Sequence, residues 1–111
     1  MSTMIGEQKP TPRFTAPLTV VLSSGQALYV VEAKNVSSTG LCLQMKELFP
    51  VGTQLHMVFG QPPELPRLST DGIVRWSENG KGVGVEFTSI RPGDHQALRR
   101  FVNSHFPSEQ A

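Results

Sequence analysis

The sequence has little that would support a disulfide framework, membrane insertion or secretion. Its one cysteine, Cys42, cannot form an internal disulfide. No apolar run approaches the length needed to span a bilayer. Residues 1–12 are polar and lack the apolar core of a signal peptide. We therefore expect a cytoplasmic protein with no membrane insertion.

An excess of charge of either sign is also lacking. Ten Lys and Arg stand against nine Asp and Glu, a formal net charge of +1. Binding to duplex nucleic acid needs many clustered cations, so the balance disfavours DNA as a partner. A small anionic ligand needs only a few well-placed cations, so a nucleotide remains possible.

The chain carries no pattern typical of a catalytic or metal site. Its three histidines are scattered, at His56, His95 and His105. None has a second ligand at metal-binding spacing, and Cys42 has no basic neighbour in sequence that would lower its pKa. Ser37 and Ser38 do not lie in a Gly-x-Ser-x-Gly pattern. We predict that the protein is not an enzyme and holds no metal or resident cofactor.

Short alternating apolar runs separated by Gly and Pro predict a mainly β protein of a single domain. The 111 residues include ten Gly and nine Pro. Six strands are predicted: Leu18–Leu22, Ala27–Val36, Leu41–Met45, Gln54–Phe59, Leu68–Ser77 and Val83–Thr88. The three prolines of residues 60–66 predict a loop. Trp76, Tyr29 and the phenylalanines are interpreted as core residues.

A hairpin and a helix complete the predicted fold. Asn79-Gly80 is a strong hairpin signal. Pro92 suits the first position of a helix, and Asp94 suits its positive end. The residues at helical spacing that follow form one apolar face: Ala97, Leu98, Phe101, Val102 and His105. We expect a small six-stranded antiparallel barrel over residues 13–111, covered by a C-terminal helix and preceded by a flexible arm, residues 1–12.

The stretch from Asn35 to Gly40 gathers an amide, hydroxyls and a glycine in six residues. These groups could bond a planar polar ligand, with Gly40 allowing close approach. They could equally cap their own backbone, as in Asx and Ser turns. The residues alone leave both alternatives open.

The order of these segments resembles the PilZ domain, a bacterial receptor for cyclic di-GMP. The family carries an RxxxR motif at the start of its first strand and a [D/N]xSxxG motif further on. Asn35, Ser37 and Gly40 match the second motif in full. Arg13 matches the second arginine of the first motif, by its spacing to Asn35 and the Phe14-Thr15-Ala16 that follows. Lys9 stands where the first arginine is expected.

The resemblance implies a barrel of the predicted kind and two functions. The first is a cyclic di-GMP receptor in which Lys9, Arg13, Asn35, Ser37 and Gly40 bind the ligand, and binding orders the N-terminal arm to regulate a partner protein. Lysine at position 9 keeps the charge but loses the planar fork of arginine. The second is therefore an adaptor without nucleotide, acting by protein–protein contacts in motility or polarity.

Overall fold

The computed structural model describes residues 13–14, 18–46 and 48–104. Lys9 and the rest of the predicted arm lie outside these residues, and so does His105. For Arg13 and Phe14 the backbone is described. Every structural statement below refers to this part of the chain.

Seven strands and one helix make up the described fold. The strands are β1 (Arg13–Phe14), β2 (Leu18–Ser24), β3 (Ala27–Ser37), β4 (Gly40–Gln44), β5 (Gln54–Gln61), β6 (Leu65–Glu78) and β7 (Gly82–Phe87), and the helix is α1 (Pro92–Ser104). The six predicted strands are β2 to β7, with ends that differ from the prediction by no more than three residues. The two-residue β1 is an addition to the prediction.

The strands form a closed antiparallel barrel. Their order is β1-β3-β2-β5-β6-β7-β4, and β4 also pairs with β3. That last pairing closes the six strands β2 to β7 into a ring, which removes the free sheet edges. Since β2 and β4 occupy the two sides of β3, β1 continues along the β2 side of β3, where Arg13 pairs with Ser37. The predicted barrel with a C-terminal helix is confirmed.

The alternating apolar residues from which the strands were predicted also fill the core. Leu18, Val20 and Leu22 of β2 are buried, while Thr19 and Val21 between them are exposed. The same alternation buries Leu55, Met57 and Phe59 of β5. The helix adds Leu98, Phe101 and Val102 to this buried cluster and packs against β6, β3 and β1. The helix therefore completes the core, as its apolar face predicts.

The predicted loop over residues 60–66 is shorter in the structure. β5 continues to Gln61 and β6 begins at Leu65, and these two residues pair. The pairing shifts register between Phe59 and Gln61. On β6, Pro66 and Arg67 lie in this irregular stretch, between the residues that pair with Gln61 and Phe59. A proline is tolerated there because the irregular position needs no ladder hydrogen bond from it. The presence of three prolines was therefore a poor guide to where the strands end.

Candidate functional site

A cleft crosses the outer surface of four neighbouring strands. One row of directly paired residues runs across it: Asn35 on β3, Cys42 on β4, Gly84 on β7 and Trp76 on β6. Gly40 and Glu86 pair in the next row, beside Ser37. Directly opposed residues in antiparallel strands place their side chains on one face. The fold thus brings residues from distant parts of the sequence onto a single surface.

Two register shifts border this surface. The pairing of β3 with β4 shifts between Ala33 and Asn35, and that of β6 with β7 shifts between Val74 and Trp76. An extra residue in one strand re-aims the side chains next to it. The second shift leaves both Arg75 and Trp76 exposed, directly after the buried Val74. Two consecutive residues therefore face the cleft side of the barrel.

Trp76 lies flat against the backbone of Gly84. A Cβ atom added at Gly84 would collide with the Nε1, Cε2 and Cδ1 atoms of the indole. The ring nevertheless keeps 41% of its surface exposed. The prediction that Trp76 belongs to the core is therefore wrong. Tyr29 is half-buried against Phe49, and Phe59 and Phe101 are buried, as predicted.

The Ser37 hydroxyl is buried and holds its own turn. It accepts a hydrogen bond from the Thr39 amide at 3.2 Å and donates to the Gly40 carbonyl at 3.3 Å. It also lies 3.3 Å from the Thr39 hydroxyl. A hydroxyl has one donor and two acceptor positions, so at most one acceptor position remains for a ligand. The turn-capping alternative is thus realised, and Ser37 keeps one possible contact outward.

Packing between strands explains why position 40 is a glycine, without involving a ligand. A Cβ atom there would collide with the carbonyl oxygen of Val85 on β7. The close approach of β4 and β7 at this point requires a glycine. Gly40 also lines the cleft, so the same missing side chain lowers the cleft floor.

One ion pair spans the cleft wall. Arg75 on β6 donates from Nε to Oε1 of Glu86 on β7, and the two side chains are 57% and 50% exposed. These two are the charged side chains that line the cleft among the described residues. Their charges cancel, so this part of the cleft is close to neutral.

The cleft is an open depression with a volume of about 230 Å³. Pockets that enclose a drug-sized ligand usually measure about 300–1,000 Å³. The cleft therefore accommodates a planar base with part of its surroundings, and the rest of a larger ligand would lie outside it.

The structure gathers three of the five predicted site residues. Asn35, Ser37 and Gly40 line the cleft. The backbone of Arg13 pairs with that of Ser37, on the strand that flanks the β3 edge of the cleft. Lys9 lies outside the described residues.

Sequence reasoning missed Arg75, Trp76 and Glu86. Strict alternation puts Trp76 on the same side as the buried Val74, and the register shift reverses this. Gly84 was an available signal, because a glycine in a strand often lies opposite a large aromatic ring.

Comparison with known proteins identifies the fold family. The profile of the PilZ domain matches residues 7–104, which is most of the chain. The chain belongs to the PilZ family. The match includes the described barrel and helix as well as the stretch that carries Lys9 and Arg13. The resemblance of the two sequence motifs to PilZ is thereby confirmed at the level of the family.

Solved structures agree with this PilZ assignment. The chain is similar to the Bacillus subtilis inhibitor of motility MotI/DgrA, with 22% identity and a TM-score of 0.74, over 86% of this chain and 49% of that one. The PilZ chain thus spans about half the length of MotI. It is also similar to the PilZ domain of CeSA from a cellulose-synthesising bacterium, with 15% identity and a TM-score of 0.64, over 84% of this chain and 96% of that one. No curated protein matches the sequence.

Two further features of the described PilZ domain bear on its chemistry. No three His, Cys, Asp or Glu side chains converge on a possible metal position within residues 13–14, 18–46 and 48–104. In the same part of the chain, no helix combines the length and apolar character needed to cross a membrane. Cys42 is buried.

Proposed function

We propose that this PilZ protein is a receptor for cyclic di-GMP that regulates a partner protein. The observation that carries the proposal is the cleft, where an exposed indole, the Asn35–Gly40 turn and an arginine lie side by side. Cyclic di-GMP has two guanines and two phosphates. A guanine has a flat face that stacks on aromatic rings and an edge that bonds amides and hydroxyls. Trp76 offers the stacking surface, and Asn35 and Ser37 offer the polar edge.

The charge and size of the cleft support a role for the N-terminal segment. Arg75 and Glu86 cancel each other, so a ligand with two phosphates needs further cations. Arg13 is paired beside Ser37, and Lys9 is four residues away in sequence, a span of at most about 14 Å. We propose that Lys9 and Arg13 close over the part of the nucleotide that the cleft leaves uncovered. Ordering of residues 1–12 would then change the surface presented to a partner.

The proposed output is regulation by protein contact, with no catalytic step. The structurally similar MotI is an inhibitor of motility. We propose that this protein also acts on a bacterial motility or surface-behaviour partner, in the cytoplasm, when cyclic di-GMP rises.

Calorimetric titration with cyclic di-GMP tests the receptor function. The wild type should bind saturably, and Arg13→Ala should lose measurable binding because a charged contact to phosphate is removed. Arg67→Ala, which changes an exposed arginine at the far end of β6, is the matched control and should bind like the wild type. Absence of binding by the wild type, or unchanged binding by Arg13→Ala, would contradict the proposal.

A second candidate function, a protein adaptor that needs no nucleotide, is favoured by one observation. An apolar stripe crosses the outer face of β3, β2 and β5, where Val30 pairs with Val21 and Val21 with Val58. Val30 and the nearby Leu28 are 71% and 70% exposed. Exposed apolar surface of this kind is typical of protein-binding sites.

The receptor and adaptor functions differ in which variant is expected to lose the effect of the protein on motility. In a strain whose own copy is replaced, the receptor function predicts that Arg13→Ala abolishes the effect on motility. The adaptor function predicts that Arg13→Ala retains it and that Leu28→Ser with Val30→Ser abolishes it. Circular dichroism of both variants would establish that the barrel remains folded.

A further inference from the structure

We infer that Arg75 is a nucleotide-binding residue of this protein and that Glu86 competes with the ligand for it. The inference rests on the proposed function and adds two residues that neither PilZ motif contains. It starts from the register shift in β6, which brings Trp76 to the outer face next to Arg75. Arg75 is the guanidinium that lines the cleft among the described residues.

The hydrogen bonding of Arg75 leaves it ready for a second partner. The guanidinium has five N–H donors, and the recorded bond to Glu86 uses the one on Nε. The two Nη groups have no recorded partner within the described residues. Paired N–H groups of this kind match two phosphate oxygens with two parallel hydrogen bonds. Arg75 precedes Trp76 in β6 and lines the same cleft, so a nucleotide whose base stacks on the indole would lie within the neighbourhood of this guanidinium.

The position of Glu86 gives it an opposing effect. Glu86 pairs with Gly40, so its carboxylate lies within the cleft that would receive the anionic ligand. Two negative groups near one cation compete for it, and the carboxylate also repels phosphate. At least half of each side chain in the ion pair is exposed, so releasing the pair costs little. Glu86 therefore weakens binding without preventing it.

Arg75 also compensates for the guanidinium that is lost because position 9 is a lysine. Lysine supplies charge without the planar N–H donors of a guanidinium. The N-terminal segment therefore has only one of the two guanidinium groups of the RxxxR motif. Arg75 supplies a guanidinium from a strand of the barrel itself. The rigid strand holds it in place before the ligand arrives, which lowers the entropy lost on binding.

The test compares Arg75→Lys with Arg67→Lys, a matched change on the same strand outside the cleft. Cyclic di-GMP affinity is measured by calorimetry, and thermal melting of each variant checks the fold. We expect Arg75→Lys to weaken binding about tenfold or more, because a charged bidentate contact is lost. Arg67→Lys should leave affinity unchanged, and neither variant should lower the melting temperature appreciably, since both arginines are exposed.

The variant Glu86→Gln tests whether Glu86 competes with the ligand for Arg75. The change keeps the shape of the side chain and removes its charge. We expect affinity to increase about 1.5- to fivefold, as the release of an exposed ion pair allows. The gain should be larger at low salt. Weaker binding by Glu86→Gln would overturn the competing role, and would indicate a carboxylate that contacts the base.

The outcomes separate this inference from the proposed function. If the wild type binds cyclic di-GMP and Arg75→Lys binds equally well, the role of Arg75 is wrong and the receptor function stands. If the wild type does not bind, both are wrong.

Discussion

At the scale of single residues, Ser37 and Gly40 each have a structural role in addition to lining the cleft. Ser37 bonds the Thr39 amide and the Gly40 carbonyl, and Gly40 makes room for Val85. A polar turn that maintains its own shape is already organised before a ligand arrives. Such organisation lowers the cost of ordering groups on binding.

The neighbouring serines Ser37 and Ser38 provide a matched pair of variants. Ser37→Ala should lower the free energy of unfolding by about 1–2 kcal/mol, because the part-buried Thr39 amide loses its partner. Ser38→Ala removes a hydroxyl with no recorded bond among the described residues and should change stability by less than about 0.5 kcal/mol. Urea unfolding measures both. Equal effects would show that the turn does not depend on the Ser37 hydroxyl.

Gly84 is expected to determine where the Trp76 ring lies. Gly84→Ala should push the indole off the strand, since the new methyl group occupies the same space. Trp76 is the single tryptophan of the sequence, so its emission should shift to longer wavelength as the ring enters water. Nucleotide affinity should fall in parallel. Gly93→Ala, with open space around the new methyl group, is the control and should change neither quantity.

At the scale of elements, hydrophobic period and turn chemistry predicted most of the fold. The inward residues of β2 and β5 follow strict alternation, and Asn79-Gly80 forms the β6–β7 turn with a positive φ of 84° at Gly80. Register shifts were not predictable, since they depend on how two strands pair. They decided the outward position of Trp76, and hence the part of the cleft that the sequence did not indicate.

The hydrogen bond between His56 and Asp71 joins β5 to β6 and gives a pH prediction. Hydrogen bonds from the His56 ring at 2.8 Å and the Ser89 hydroxyl at 3.1 Å hold the pKa of Asp71 below its ordinary value. A carboxyl whose pKa is lowered by folding stabilises the fold above its ordinary pKa, and loses this contribution as pH falls through the lowered pKa.

Asp71→Asn should therefore cost less than about 1 kcal/mol at pH 7, since the pair is exposed. The difference from the wild type should shrink as the pH falls below the ordinary pKa of Asp71 and through its lowered pKa. Urea unfolding at several pH values measures it, with Glu64→Gln on the exposed β5–β6 loop as the control. A difference that grows toward low pH would have the wrong sign.

At the scale of the whole molecule, the barrel serves as a rigid support for a surface site. β1 joins β3 at Ser37, so the N-terminal segment enters the barrel beside the cleft. In the proposed function, a ligand there contacts both the barrel and the N-terminal segment. The barrel and helix could be predicted from the sequence, and the residues of the two motifs could be recognised in it. The full shape of the cleft depends on four strands that meet only in the folded chain.

Hydrogen exchange would detect the proposed ordering of residues 1–12. Saturating cyclic di-GMP should slow amide exchange in peptides from this segment, because their amides would become bonded or covered on binding. Strands β2 and β5, which contribute no residue to the cleft lining, should show little change and serve as the internal control. Protection confined to the cleft strands, with none in residues 1–12, would contradict the ordering mechanism and leave binding itself intact.

The most direct measurement is the fluorescence of Trp76 during titration with cyclic di-GMP. The single tryptophan lies in the cleft, so one signal reports both binding and its location. The account predicts a saturable change in emission, with a dissociation constant equal to that from calorimetry and a loss of the change in Arg13→Ala. Binding detected by calorimetry with unchanged emission would place the site elsewhere. No response in either method up to about 100 µM nucleotide, which corresponds to binding weaker than about −5.5 kcal/mol, would contradict the receptor function itself.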